Sequence, residues 1–295
     1  MANEEQARYW GEEGGPRWVA SEADHDLMLE PFGAAVVGAL APQPGERVLD
    51  VGCGFGATTA VVAQAVGPSG RVVGIDISAP MIERARARLA QSANGTAPVE
   101  LVVGDAQTDD LRGPHDAVVS RFGMMFFADT PAAIAHISGA VRPGGRLAFV
   151  CWRDMSENPW YALPNSVILG ALPEPPPLPA PMTPSPFGFG NIAVVTELMA
   201  DDGWVDIEDT RFDVDVPLGG VRGLDGALEH ARTTLAGRLL FAQLPAERAE
   251  QVMGDVRAVL AHYEDDGVVR LPARRPSPAP PAPPGAARRA ADRPA

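Results

Sequence analysis

Residues 48–59 read VLDVGCGFGATT: an apolar run carrying one acid, Asp50, then glycines at 52, 54 and 56, then small residues able to open a helix. Glycines at alternate positions strip the side chains from one edge of a turn, so the backbone can pass very close to a ligand. Strand, glycine turn and helix N-terminus in that order form a nucleotide-type site, with backbone N–H groups pointing outward. The glycines alone are a weak signal. They also fit G-x-G-x-x-A, a permissive dinucleotide fingerprint, and a purely structural tight turn.

Working outward, strand patterns occupy 46–51, 71–76, 99–103, 116–120 and 146–151, each rich in β-branched or apolar residues. Helical patterns lie between them, the clearest opening at Ser78 as N-cap with Ile82, Ala85 and Leu89 at helical spacing. The alternation predicts an α/β fold, a Rossmann-like doubly wound parallel sheet joined by right-handed crossovers. Ligands belong at the carboxyl ends of its strands, where strand order reverses. Two further acids sit there. Asp76 ends the second strand in GIDIS and suits both hydroxyls of a ribose; Asp105, in GDA after the third strand, suits an exocyclic adenine amine. Three successive strand ends in this order outline an adenosine.

DVGCGFG, GIDIS, GDA, DAVVSRFGMMFFAD and VRPGGRLAF together resemble a class I S-adenosylmethionine-dependent methyltransferase, of the small-molecule group similar to the ubiquinone and menaquinone C-methyltransferases (type 11). The resemblance covers about 9–271 and is most specific over 46–151. It implies S-adenosyl-L-methionine as cofactor and S-adenosyl-L-homocysteine as product. It places the methionine moiety over Gly52, Cys53 and Gly54, with Asp50 supporting the turn and near the amino group and Gly56 also among the cofactor-binding positions. It puts the ribose on Asp76, the adenine against Ile77 and Met81, the amine on Asp105 and Ala106 with Gly104 also a cofactor-binding position, and the sulfonium beside Ser120, Arg121 and Phe122. The family usually has seven strands with the last antiparallel, and here the pattern departs from it. After Ala273 the chain runs RRPSPAPPAPPGAARRAADRPA, and proline cannot donate to a central ladder, so the last strand is missing or VVRL serves as a stub. A frameshift in the coding sequence would produce such a change.

The five-part organisation expected is an N-terminal helical cap (1–30), the cofactor core (31–151), a Pro/aromatic substrate lid (152–190), the rest of the fold with a helical cap (191–271) and a disordered Pro/Arg tail (272–295). A helix is expected at about 191–202, a strand at 204–216 resuming the sheet, and helices at 224–243 and 246–263.

All 24 basic residues are arginine, which closes Schiff-base chemistry and the Gly-Lys phosphate loop. A net charge of −14 argues against a general nucleic-acid binder. The first 30 residues lack the order of a secretory signal, and no run is long and apolar enough to insert in a membrane, so a cytoplasmic monomer or homodimer is expected. Cys53 and Cys151 show no zinc spacing and are expected to be reduced. No metal is expected either: Arg121 ends the fourth strand where a metal-assisted enzyme would want carboxylates, and Asp154 and Glu157 stand on a Pro-rich loop.

For a general base the candidates are His25, in the cap, and His230, after the lid, with Arg121 a further catalytic candidate. His115, His136 and His262 read better as structural or solvated groups. Trp152, Trp160, Tyr161 and Phe187, with Phe189, face Phe122, Met125 and their neighbours and suggest a small apolar or aromatic acceptor, methylated on O, N or C; the alternative is that they form the lid's own core. Tyr9, Trp10 and Trp18 could close the cofactor side. Three other functions stay open: a cofactor-binding protein of this fold that catalyses a rearrangement or cyclisation, a nicotinamide oxidoreductase, and a non-enzymatic protein using its tail as a partner ligand.

Overall fold

A computed structural model describes residues 3–90, 95–177, 179–180, 182–272 and 287–289. The core strands form where the sequence alternates: β1 (Arg47–Val51), β2 (Arg71–Asp76), β3 (Val99–Val103), β4 (His115–Arg121) and β5 (Val141–Val150). They run parallel in the order β3-β2-β1-β4-β5. The order reverses between β3 and β4, so right-handed crossovers send helices to opposite faces and open a crevice at the ends of β1 and β4. Central β1 carries Val48 and Leu49 with no exposed surface, burial that stabilises by about 1.5–3 kcal/mol per side chain.

The N-terminal segment comprises α1 (Glu4–Arg8), a π-helical turn over Tyr9–Glu13, α2 (Gly14–Ala20) and α3 (Glu22–Leu40). α3 packs on β4 and β5, so the expected boundary at residue 30 falls inside a helix that belongs to the core. Arg146 donates to the Leu40 carbonyl oxygen at 2.7 Å and to Glu46 Oε2 at 2.7 Å, tying the end of α3 to the entry of β1. The crossover helices are α4 (Ala57–Val66), α5 (Ala79–Leu89) and α6 (Thr130–Gly139). Ser78 caps α5 as expected, its Oγ accepting from Met81 N. Glu22 and Asp26 of α3 pair with Arg84 and Arg88 of α5, which holds the N-terminal segment over the carboxyl edge of the sheet.

Past β5 the architecture differs from expectation in three places. The lid contains a regular helix, α7 (Pro159–Ala171), because Pro159 at the first turn and the apolar spacing of Trp160, Leu163, Val167 and Ile168 suit one. It packs against α10 (Leu235–Gln243) and α11 (Ala246–Ala261), and Phe189, further along the lid, is 1% exposed, so part of the lid is core. Second, the expected strand at 204–216 splits. After α8 (Ile192–Asp201), only β6 (Trp204–Val205) joins the main sheet, and β7 (Asp215–Leu218) enters a separate antiparallel sheet ordered β7-β9-β8. α9 (Gly223–Thr233) and α10 break at Thr234, whose Oγ1 caps α10 by accepting from Gly237 N at 3.1 Å.

Third, the VVRL segment does not extend the main sheet. It lies in β9 (Val268–Pro272), paired with β7 and with β8 (Glu264–Asp265). The last place in the main sheet goes to β10 (Ala287–Arg289), antiparallel between β5 and β6, so these three residues of the expected disordered tail are ordered as a strand. They lie beyond the proline run and keep their N–H groups, which is what a ladder requires. The disorder expected for the rest of 273–295 lies outside the described residues.

The crevice depends on two chains passing almost in contact. Gly52 has φ +68°, and a Cβ there would stand 2.7 Å from the Gly123 Cα. Gly52→Ala should therefore combine a left-handed penalty of about 1–2 kcal/mol with a backbone collision. A urea titration should show a loss of about 2 kcal/mol or more; an unchanged midpoint would show that the crossing is slack.

Candidate active site

The turn is held from behind. Asp50, 1% exposed, accepts from Thr59 Oγ1 at 2.6 Å through Oδ2, which fixes the first turn of α4, while Oδ1 has no partner. Burial pushes its carboxyl up to about 6, against the opposing pull of the Thr59 hydrogen bond and the Arg121 charge. Ser120 Oγ donates to the Val51 carbonyl oxygen at 2.7 Å and accepts from Gly123 N at 3.2 Å, joining the ends of β1 and β4. Gly56, at φ +77°, stands at the N-cap of α4. Asp50 supports the turn, as expected, and Asp50, Gly56 and Ser120 stand behind the cavity wall rather than in it: they shape the turn that lines it.

Beyond that turn opens a cavity of about 820 Å³. Gly52, Cys53 and Gly54 line it together with Asp76, Ile77, Met81, Gly104, Asp105, Ala106, Arg121 and Phe122, so the remaining expected cofactor positions do converge. The Cys53 thiol is buried, and desolvation raises its pKa well above the usual value, so it stays a neutral wall group. Asp76 accepts from Gly54 N and from Ser78 N, both at 2.8 Å, one on each oxygen. Burial raises its pKa while these two donors lower it, and each oxygen keeps capacity for one further donor from the cavity.

Asp105 is oriented by a residue that the sequence did not single out. Asn3 Nδ2 donates to Asp105 Oδ1 at 2.8 Å, and Asn3 Oδ1 accepts from Ala128 N at 2.6 Å. Gln107 N donates to the same Asp105 oxygen at 2.9 Å, leaving Oδ2 buried without a partner. A lone Asn in an acidic N-terminal stretch carries no motif, so only the fold reveals this contact. Ser78 Oγ also donates to the Trp10 carbonyl oxygen at 2.7 Å, so the π-helical turn is fastened to the same rim.

The rest of the wall is a circuit of rings. Trp18 lies 6.4 Å from Phe55 and 5.7 Å from Trp10, and it stacks on His25 at 3.9 Å. His25 is 6.5 Å from His230, which is 6.0 Å from Trp160. Trp160 is 4.7 Å from Trp152, which stacks on Phe122 at 4.4 Å. Met125, Trp152, Trp160 and Tyr161 line the cavity as expected, whereas Phe187 does not: it packs behind Tyr161 at 4.8 Å.

The two histidines drawn from opposite ends of the chain thus meet at one wall. Desolvation lowers the His25 pKa and takes that of His230 down to about 4, with the neighbouring His25 adding to the effect. Both imidazoles are neutral near pH 7. The His25 Nδ1 lies 3.0 Å from the Ser21 carbonyl oxygen, a contact favourable only with the proton on Nδ1, which leaves Nε2 as an acceptor. Arg121 lines the cavity too, its Nη1 donating to the Leu29 carbonyl oxygen at 3.4 Å. His115 is buried against the Leu111 carbonyl oxygen at 2.7 Å, His136 contacts the Asp109 carbonyl oxygen at 2.9 Å, and His262 is exposed; none lines the cavity. Among the described residues no group of three or more His, Cys, Asp or Glu is placed to hold a metal ion, and no helix is long and apolar enough to cross a membrane.

A reversed parallel sheet with a glycine turn after β1 and carboxylates after β2 and β3 defines a nucleotide-cofactor fold of the class I methyltransferase kind. Residues 48–145, from β1 into β5, match a family model described as a methyltransferase domain. The nocamycin O-methyltransferase of Saccharothrix syringae is 38% identical over 120 residues, 41% of this chain and 42% of that one. The aklanonic acid methyltransferase of Streptomyces sp. (strain C5) is 38% identical over 123 residues, 41% of this chain and 55% of that one. The chain thus spans about half the length of the curated relatives it matches. A solved putative methyltransferase from Bacillus halodurans shares the fold at a TM-score of 0.52 and 16% identity, over 88% of this chain and 98% of that one.

The raised Asp50 carboxyl has a sign that can be checked. An acid with a higher pKa in the folded state contributes stability below its unfolded pKa near 4 and loses it as pH rises through about 6. Asp50→Asn should therefore gain on the wild type by up to about 3 kcal/mol between pH 4 and pH 7 in paired urea titrations. Parallel curves would mean that Asp50 ionises freely in the folded protein.

Proposed function

We propose that the cavity binds S-adenosyl-L-methionine and that the protein transfers its methyl group to a small apolar or aromatic molecule without a metal. The observation that carries this is the unpartnered Asp105 Oδ2, buried at the wall of the same cavity as the glycine turn and Asp76. An acceptor atom left without a donor costs about 1–3 kcal/mol, and an adenine amine would remove that cost. Asp76, with one free acceptor position per oxygen, would hold the ribose hydroxyls, and Ile77 and Met81 would flank the base. The open edge at Gly52, Cys53 and Gly54 would take the amino-acid part. When bound, the cofactor supplies a methyl group on a sulfonium, a leaving group already activated by its charge.

The chain's own task is then to aim and to dry. The circuit of Trp18, Trp152, Trp160 and Phe122 excludes water and orients a flat acceptor, and orientation of this kind can supply roughly 7–11 kcal/mol. Neutral His230, with His25 beside it, is the group that would accept a proton from a hydroxyl or amine acceptor. Arg121 stands at the β4 end and offers positive charge rather than a carboxylate, which supports a metal-independent site. The names of the relatives, a nocamycin and an aklanonic acid methyltransferase, support a natural-product acceptor and a role in secondary metabolism.

Calorimetric titration with S-adenosylhomocysteine, with NADH as control, tests the cofactor. Binding should be micromolar for the first and absent for the second, and Asp105→Ala should weaken it by about tenfold or more. Unaltered affinity in that variant would remove the adenosine from this position. Methyl transfer should form S-adenosylhomocysteine when acceptors are supplied; cofactor binding without that product across a broad panel would favour a rearrangement or cyclisation.

For the base, His230→Gln should lower kcat by about 10²–10⁴-fold with S-adenosylhomocysteine affinity kept. The wild-type rate should hold down to roughly pH 5, because His230 takes up a proton only near 4. An acid limb centred near 6.5 would assign the proton transfer to another group.

A further inference from the structure

Four arginines line the cavity, and they differ in their partners. Arg222 pairs with Asp24 at 2.6 Å, Arg17 with Glu13 at 3.8 Å, and Arg121 is drawn by the charges of Asp50 and Asp26. Arg238, on α10, has no carboxylate within ion-pair distance among the described residues. Its guanidinium donates from Nη1 to the Thr233 carbonyl oxygen at 2.7 Å, and its other four N–H groups have no protein acceptor there. Glu229 also reaches the cavity but acts on Arg232, which is already held by Glu250.

A half-buried guanidinium with no carboxylate partner among the described residues, at the wall of a cavity in a protein of net charge −14, keeps donors that an anionic ligand can take. A second group stands with it. The Tyr161 phenol, on α7, has no hydrogen-bond partner among the described residues, and the Arg238 charge is felt at its oxygen. Trp160 and His230, with ring centroids 6.0 Å apart, supply flat apolar surface beside them. A planar fork of donors, one further hydroxyl donor and flanking rings match a carboxylate carried by an aromatic body; a phosphate dianion would want more charge.

Resting on the proposed methyl-transfer reading, we propose that Arg238 and Tyr161 form an anion subsite and that the acceptor molecule is an aromatic acid held there by its carboxylate. The carboxylate is a handle. It lies on the helical side of the cavity, formed by α7 and α10, while the glycine turn after β1 forms another part of the wall.

The probes are 2-naphthoate and its neutral isostere 2-naphthamide, titrated against tryptophan fluorescence with and without saturating S-adenosylhomocysteine. The naphthoate should bind at least tenfold more tightly than the amide. Arg238→Gln should abolish that preference, Arg238→Lys should restore part of it, and both variants should keep wild-type affinity for S-adenosylhomocysteine. Equal affinity for acid and amide, no saturable binding of the naphthoate, or a preference that survives Arg238→Gln would overturn the proposal. Failure of S-adenosylhomocysteine to bind, with the acid preference intact, would instead strike the methyl-transfer reading and leave the anion subsite standing.

Discussion

One carboxylate fixes the geometry from which the rest of the site follows. Asp76 takes a backbone N–H from Gly54 on one oxygen and one from Ser78 on the other, so the end of β2 locks both the glycine turn and the start of α5. Those hydrogen bonds are charge-assisted and partly desolvated, which makes them stronger than ordinary backbone pairs. With the turn fixed, Gly52 meets Gly123 and the crevice between β1 and β4 acquires a defined width. Ser78 passes the constraint on, since its hydroxyl holds the Trp10 carbonyl and with it the N-terminal segment.

The parts of this arrangement that were legible in the sequence are those encoded locally. The five parallel strands, Asp76, Asp105 and the Ser78 cap each depend on a short pattern of residues, and each stands where the pattern puts it. What was not legible depends on pairing between distant segments. WVDIEDTRFDVDV alternates like one strand, yet its two ends pair with different sheets because VVRL claims the second end. Asn3 reaches Asp105 across 102 positions, with no pattern at either end to announce it. Helix α7 was hidden by proline content, although one proline sits in the first turn, where it costs nothing. Among the site residues the division is similar. Asp50 was legible as the support of the turn, whereas only the fold shows that the Ser120 hydroxyl bonds to the Val51 carbonyl oxygen behind it.

The aromatic circuit explains how so few polar groups can govern so large a space. Rings at 3.9 to 6.5 Å spacing leave His25 and His230 desolvated, and desolvation is the largest cause that lowers the pKa of each. The same dryness raises the cost of every unmatched charge. Asp105 Oδ2 therefore stands out, buried without a partner, and Arg238, half-buried, uses one donor on the Thr233 carbonyl oxygen.

The cover of the cavity is divided between the two halves of the chain. Asp24 and His25 come from α3, their counterparts Arg222 and His230 from α9 and its approach, and the ion pair between them spans 198 positions. During synthesis the glycine turn, β1 and β2 leave the ribosome long before that second half exists. Until α9 and α10 are made, His25 lacks His230 beside it and with it part of the desolvation that lowers its pKa in the finished fold. The floor built on the glycine turn and Asp76 can form early on a nascent chain, but the ring-lined chamber above it is completed only with α9 and α10.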